Sequence, residues 1–371
     1  MKLDELLINN YKNNKDSLLK FSPKVNIFVG DNGAGKTNVL DAIYYLSFCK
    51  SPFNTLDSSN ILHGEAHFVL RGEYTNHEQG SDKVHISFAK SDRKKIKRND
   101  KEYDKIADHI GEFPLVIISP MDASLIIGGS EERRKYIDGV ISQFDRHYLN
   151  TLLSYNKVLQ QRNALLKGMV TNRSNDFSFL EILDAQLCEY GDQIHKKRTE
   201  FLLEFIPLIK EYYTFISNEK EKAGIRYKSQ LKDNDFRNLL KENHQRDLTL
   251  RHTSIGIHRD DLVFELDKYS IKKSGSQGQQ KSFLIALKIA QFEYMRNKKG
   301  YKPLLLLDDI FDKLDYKRVH QLMNLVSRNE FGQIFITDTN KERVEGIFSK
   351  IDVEKHIYNV SEGEITKTDD E

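Results

Sequence analysis

The chain has 371 residues, enough for two units of ordinary domain size. Apolar residues make up 39% and charged residues 30%, with sparse glycine and proline, which excludes a disordered, collagen-like or low-complexity chain. A formal net charge of +2 is too small to attract nucleic acid through a general field, so any such contact must come from local basic patches.

In chain order, Val25-Asn26-Ile27-Phe28-Val29 reads as a short strand and Lys36 to Phe48 as the helix after it, with a glycine-rich turn between them. Alternation in Phe68 to Tyr74 and Val84 to Phe88 predicts an antiparallel hairpin, and Lys94 to Tyr103 a second one turning at Asn99-Asp100. Leu115 to Ile118 is an apolar run of strand length that ends at Ser119-Pro120. From Glu131 to Lys167, apolar residues at Ile137, Ile141, Phe144, Tyr148, Leu152, Tyr155, Leu159 and Leu166 predict one long amphipathic helix. After a polar link at residues 168–176, Leu180, Leu183, Leu187, Tyr190, Ile194, Phe201 and Leu208 repeat that spacing. The pair should fold back as an antiparallel hairpin, each helix spanning roughly 45 to 55 Å at about 1.5 Å per residue. Either a projecting arm or a packed helical lobe fits. A charged stretch from Lys220 to Arg251 leads back to mixed structure: helices over Phe283–Arg296 and Tyr316–Ser327, strands over Leu304–Leu307 and Gln333–Thr337, and a frayed acidic tail from Thr368.

Cys49 and Cys188 lie far apart without Cys or His at metal spacing and read as buried thiols. The start, Met1-Lys2-Leu3-Asp4-Glu5, lacks the basic and apolar segments of a secretory signal, and no uncharged run reaches membrane-span length. A cytoplasmic protein with no membrane partner is the expectation.

Gly30-Asp31-Asn32-Gly33-Ala34-Gly35-Lys36-Thr37 satisfies G-x-x-x-x-G-K-[ST] in the strand–loop–helix context that motif requires. Glycines there let backbone N–H groups turn inward around phosphates, Lys36 meets the outer phosphate charge, and Thr37 ligates magnesium. The loop runs on into Asn38, so Gly30 to Asn38 is the candidate ATP cradle. Leu304-Leu305-Leu306-Leu307-Asp308-Asp309 is the complement, a buried strand delivering two carboxylates at its C-terminal end. Asp308 is expected to hold magnesium through water, and Asp309 to orient or deprotonate the attacking water with Lys36 as the other catalytic group.

Most of the chain, including the helical hairpin, lies between these motifs. That arrangement resembles ABC-type ATPases of the chromosome-maintenance (SMC) class, whose head is assembled from both ends of the chain. Gly275-Ser276-Gln277-Gly278-Gln279 before a helix then resembles the ABC signature loop, in which Ser276, Gly278 and Gln279 would meet the γ-phosphate held by a second copy. Without that resemblance the segment is a flexible link with a helix cap. Asp312-Lys313-Leu314-Asp315 similarly resembles the loop that crosses the dimer interface. Within the class, the chain resembles the RecF family of bacterial recombinational-repair proteins over nearly its whole length. The segments that carry this are Asn10 to Asn13, Asn32 to Leu46, Ser119 to Asp122, Arg133 to Asp138, Gln161-Arg162-Asn163-Ala164-Leu165-Leu166, Gly256-Ile257-His258-Arg259-Asp260-Asp261 and Ser276 to Lys281. Departures are modest: Lys12 stands where the family commonly has Arg, Ile257 where Pro is common, and Asp338 where a transporter ATPase has a switch histidine. A shorter Asp309 in place of the usual Glu implies slow turnover.

The resemblance implies an α/β, P-loop NTPase head of the ABC type in residues 1–125 and 250–371, with a helical, coiled-coil-like insertion at 126–249. It implies an ATP- and Mg²⁺-dependent homodimer that clamps single-stranded, duplex or gapped DNA. Recombinational repair, replication restart and the SOS response, with RecO and RecR as partners, follow from the same resemblance, as does a weak DNA-stimulated ATPase acting as a switch. Two basic clusters could meet phosphates: Lys94, Lys95, Lys97 and Arg98 with their neighbours on a hairpin, and Lys196, Lys197 and Arg198 on the helical segment. A structural SMC-like DNA tether would need far longer arms, and a small-molecule phosphotransferase would not need Ser276 to Gln279.

Overall fold

The computed structural model describes every residue except 77–79, 173–176, 218–220, 311–320, 322–329, 349–352 and 369–371. The expected helix over Tyr316–Ser327, apart from Gln321, and the segment Asp312 to Asp315 therefore lie outside the described residues. Two compact units are present: Met1–Asp122 with Phe215–Asn218 and Lys281–Glu371, and Ala123–Thr214 with Glu219–Gln280.

The first unit holds two six-stranded sheets. In one, β1 (Lys2–Tyr11), β2 (Asn14–Lys20), β4 (His67–Asn76), β5 (Gly80–Ala89), β6 (Lys95–Arg98) and β7 (Lys101–Glu102) form an antiparallel meander in the order β2-β1-β4-β5-β6-β7. Both expected hairpins are here, the second turning through Asn99 and Asp100 at positive φ (50° and 64°), the conformation these residue types tolerate in tight hairpins. Phe68, Leu70 and Tyr74 alternate inward from β4, as a half-buried strand requires.

In the other sheet, β3 (Val25–Val29), β8 (Leu115–Ile118), β12 (Leu304–Asp308), β13 (Ile334–Asp338) and β14 (Lys355–Ser361) run parallel, and β15 (Glu364–Lys367) closes one edge antiparallel. The order is β15-β14-β3-β13-β12-β8. Strands β3, β12 and β13 are buried at every position, which is why apolar residues dominate them, with polar residues only at Asn26 and at the strand ends Asp308, Thr337 and Asp338. Helix α1 (Lys36–Phe48) shares one core with both sheets, through Val39, Leu40, Ile43, Tyr45 and Leu46. Buried Gln333 ties the two sheets at the backbone: it accepts from Leu3 N at 2.7 Å and donates to Leu3 O and Ser22 O at 2.8 Å.

The second unit contains α2 (Ala123–Ile127), α3 (Ser130–Ser142), α4 (Arg146–Asn172), α5 (Ser178–Ser217, except its last residues), β9 (Ala223–Lys228), α6 (Phe236–Glu242), α7 (His244–Leu250), β10 (Asp261–Leu266), β11 (Tyr269–Ser270) and α8 (Ile271–Ser274). The helix expected from Glu131 to Lys167 is two helices, because the Asp145 carboxylate accepts from Tyr148 N at 2.8 Å and caps a new helix. Helices α4 and α5 do lie antiparallel: Arg162 meets Asp184, Gly191 faces Tyr155, and Tyr148 meets Arg198. Re-entry into the first unit falls at Lys281 instead of residue 250, since β9, β10 and β11 form a three-stranded antiparallel sheet that belongs to the second unit.

Two buried arginines organise this unit. Arg162 is fully buried and donates to Asp184 (2.5 Å), Asp247 (2.7 Å) and Thr253 (3.0 Å). Arg198 is equally buried, reaching Asp138 and Asp260 at 2.9 Å and the Ile257 carbonyl at 2.9 Å. Removing one partner of such a pair strands a charge in low dielectric, a loss of about 3–5 kcal/mol.

Candidate nucleotide site

Parallel pairing sets the site. Val29 of β3 lies beside Asp338 of β13, and Thr337 of β13 beside Asp308 of β12, so three strands end along one edge of the sheet. The loop Gly30 to Gly35 leaves β3 at that edge and opens α1.

Two of its glycines are there for close approach. A Cβ on Gly30 would lie 2.1 Å from the Val360 carbonyl oxygen, and one on Gly35 (φ 114°) 2.6 Å from the Asn13 amide. Gly33 (φ 82°) faces open space, as a backbone cradle for phosphate requires. Asp31 and Asn32 are exposed and Ala34 is packed inward. The Asn13 amide donates to Ala34 O at 2.9 Å and accepts from Asn38 at 2.6 Å. Gly363 N also donates to Ala34 O at 2.9 Å, and Asn14 donates to Gly363 O at 2.6 Å. The loop is thus held from behind by the β1–β2 and β14–β15 turns. Reading the sequence did not find that support, although Asn13 stood in a segment it singled out.

Lys36 donates to the carbonyls of Gly30 and Asp31, each at 2.8 Å, so its ammonium stands across the mouth of the loop. Burial lowers its pKa, and Asp309, Asp308, Asp338 and Asp31 oppose that shift. Asp308 Oδ1 accepts from Thr37 Oγ1 and from Thr337 Oγ1, both at 2.8 Å. Burial pushes its carboxyl upward against these hydrogen bonds and Lys36. Thr337 is a site residue the sequence reading passed over; the only signal was its place at the end of a strand. Asp309 sits at φ 48°, an uncommon conformation for a non-glycine residue, with its N–H donating to Thr337 Oγ1 at 3.0 Å. That turn carries Asp309 out of the strand beside Asp308. Asp338 is buried and takes Arg343 at 2.6 Å.

A hydroxyl and a carboxylate sharing a hydrogen bond are the hard oxygen donors that suit Mg²⁺, which takes one or two protein ligands alongside substrate phosphates. Among the described residues no cluster of three or more His, Cys, Asp or Glu forms a closed metal cage. Thr37 and Asp308 therefore fit the ion, and the Gly30–Lys36 loop fits a polyphosphate.

Ser276 lies in the second unit and caps α9 (Gln277–Lys299). Its Oγ accepts from Gln279 N at 3.2 Å while Gln279 Oε1 accepts from Ser276 N at 2.7 Å, a reciprocal capping box. Gln279 also donates to Glu221 at 2.7 Å. Ser276 is exposed and Gly278 half-buried, in the first turn of the helix.

The basic clusters are largely consumed within the fold. Lys94 is mostly buried and donates to Asp57 (2.8 Å) and the Cys49 carbonyl (2.6 Å). Arg98 grips Asp82 through two 2.8 Å bonds and Glu112 at 2.6 Å, and Lys95 pairs with Asp92. On α5, Arg198 is internal and Lys197 pairs with Asp145. Of Lys94, Lys95, Lys97 and Arg98, only Lys97 has no side-chain hydrogen bond or ion pair among the described residues. Lys12, singled out as a departure, ion-pairs with the buried Asp41 of α1, whose carboxylate also accepts from Tyr11 and Ser51.

A family model for the RecF/RecN/SMC N terminal domain matches residues 2–365. The DNA replication and repair protein RecF of Flavobacterium johnsoniae is 50% identical over 360 residues, covering 97% of this chain and all of that one. Its counterpart from Phocaeicola vulgatus is 46% identical over 368 residues, 99% of this chain and 98% of that one. A solved structure described as the recombination mediator protein RecF-ATP in the RecFOR pathway superposes with a TM-score of 0.90 at 31% identity, covering 99% and 98% of the two chains. An Smc head domain from Pyrococcus furiosus, at 15% identity and a TM-score of 0.58 over 99% and 96% of the chains, shares the fold. No helix among the described residues is long and apolar enough to cross a membrane.

Proposed function

The chain belongs to the RecF family, and from that premise we propose that it is an ATP-dependent DNA-binding protein of recombinational repair and replication restart. The first unit serves as its ATPase head and the second as the inserted lobe. The observation that carries this reading is the 2.8 Å bond from Thr37 to Asp308, which joins a phosphate loop and an acidic strand end from opposite ends of the chain at one sheet edge. In it, the backbone N–H groups from Gly30 to Asn38 cradle the phosphates of ATP, and Lys36 exchanges its two carbonyl acceptors for phosphate oxygens. Thr37 and Asp308 hold Mg²⁺, which when bound offsets phosphate charge. Asp309 orients or deprotonates water; its side chain is one methylene shorter than a glutamate, which suits slow hydrolysis and a switch better than a motor.

Exposed Ser276 and the N-terminus of α9 meet the nucleotide of a second copy, so ATP drives homodimerisation around single-stranded, duplex or gapped DNA. The dimer acts with RecO and RecR in the cytoplasm. Sedimentation of the protein with ATP and a short gapped duplex tests this. The parent should dimerise with ATP, Lys36→Arg should stay monomeric, and Asp309→Asn should remain dimeric longer than the parent. An ATP-independent oligomeric state, the same in all three, would overturn the reading.

A further inference from the structure

We propose that the second unit carries a groove for the phosphodiester backbone of DNA along β9. This rests on the DNA-binding reading above and gives it a location that the motifs did not suggest. Two clefts adjoin at Arg226 and Lys228. One, of about 260 Å³, is walled by β9, β10 and α8 and includes Lys272 and Lys273; the other, of about 470 Å³, extends past Lys232 to Arg259.

The charge along this path is one-sided. In the first cleft Arg133 and Asp261 form a bidentate pair at 2.8 and 3.2 Å and cancel. No other carboxylate among the described residues lines either cleft. Arg226 leans on Glu265 at 2.8 Å but stays half exposed. Lys272 and Arg259 donate to the carbonyls of Gly128 and Thr253 at 2.9 Å and have no ion pair among the described residues. Lys228, Lys232 and Lys273 are exposed and have no ion pair among the described residues. The hairpin around Lys94 and Arg98 is the opposite case, since its cations are already matched by Asp57, Asp82 and Glu112.

Charged side chains on a sheet edge also prevent strand pairing, and β9 is an edge strand in the order β11-β10-β9. Arg226 and Lys228 would meet that need alone. It does not account for Lys232, Arg259, Lys272 and Lys273, which come from three other segments and converge on the same path. A protein partner would need an exposed apolar anchor, whereas Ile126, Leu262 and Phe264 in the first cleft are buried. Ser229, Gln230 and Ser270 add the neutral polar groups that commonly contact phosphate oxygens.

The test is Lys228→Gln combined with Lys273→Gln, two exposed positions away from the phosphate loop. Affinity for a gapped duplex is measured with ATP as a function of salt, with ATP binding and the urea midpoint measured alongside. Each lost phosphate contact lowers the salt slope by about 0.9, so the double variant should lose about 1.8 in slope. Its affinity at about 0.1 M salt should fall on the order of 10- to 100-fold, with ATP binding and the urea midpoint unchanged. A parent that binds DNA and a variant with the same slope would overturn the groove and leave the DNA reading standing. A parent that does not bind DNA would overturn both. Poly-glutamate binding that exceeds DNA binding and disappears in the variant would make this an acidic-protein surface and overturn the proposal.

Discussion

Burial keeps the imidazole of His258 neutral, its pKa lowered from 6.5 to about 4. In the neutral ring Nε2–H donates to Thr253 O at 3.1 Å, which leaves Nδ1 to accept from the Tyr155 hydroxyl at 2.8 Å. Because the unfolded chain takes up this proton below pH 6.5 and the folded one only near pH 4, stability is lost as pH falls through that window. Urea unfolding at pH 7 and pH 5 should differ by on the order of 1–2 kcal/mol from this residue. His258→Gln should remove that part of the difference, and an unchanged pH dependence would show that the ring is not held neutral. His258 is thus a structural residue within a segment that carried the family resemblance, as are Arg162 and Asp260. The family signal came as much from buried polar networks as from chemistry.

At the level of elements, helix breaks and caps decide the architecture of the second unit. Asp145 caps the start of α4, three residues after α3 ends at Ser142, so Asp145→Ala should cost about 1 kcal/mol in urea unfolding, while Asp145→Ser should recover most of it. Lys197→Ala, which removes only its half-exposed ion-pair partner, should change stability by less than about 0.5 kcal/mol. Equal losses in the alanine and serine variants would assign Asp145 a role other than capping. The heptad-like run from Ile137 to Leu166 concealed this break, because apolar spacing continues across residues 143–145 while the backbone does not. The β9–β10 pairing was equally hidden, since its strands lie more than thirty residues apart in a charged stretch.

For the whole molecule, the sharpest consequence of the proposed pairing in trans is complementation. Lys36→Arg spoils the phosphate loop and Ser276→Arg spoils the exposed cap, so each alone should fail to dimerise with ATP. A mixture can form a heterodimer with one intact composite site, its loop from the Ser276→Arg copy and its cap from the Lys36→Arg copy. Sedimentation of the mixture should recover a dimer fraction clearly above that of either variant alone. No recovery would mean that Ser276 does not act on a partner's nucleotide.

The local motifs were legible in the sequence because their physics is local: a glycine loop needs glycines at set positions, and a strand covered on both faces is built mainly of apolar residues. Gly30 to Thr37, Leu304 to Asp309 and the Ser276 cap were readable on those grounds, as was the α/β class. Tertiary structure alone decided the rest, because it depends on which distant groups come together. Thr337 reaches Asp308 only once β12 and β13 pair, and Asn13 supports the loop only once the β1–β2 turn lies behind it. Charge shows the same limit: Lys94 and Arg98 look available in sequence and are consumed by Asp57, Asp82 and Glu112. The cations around β9, scattered along the chain, form a path only in the folded unit.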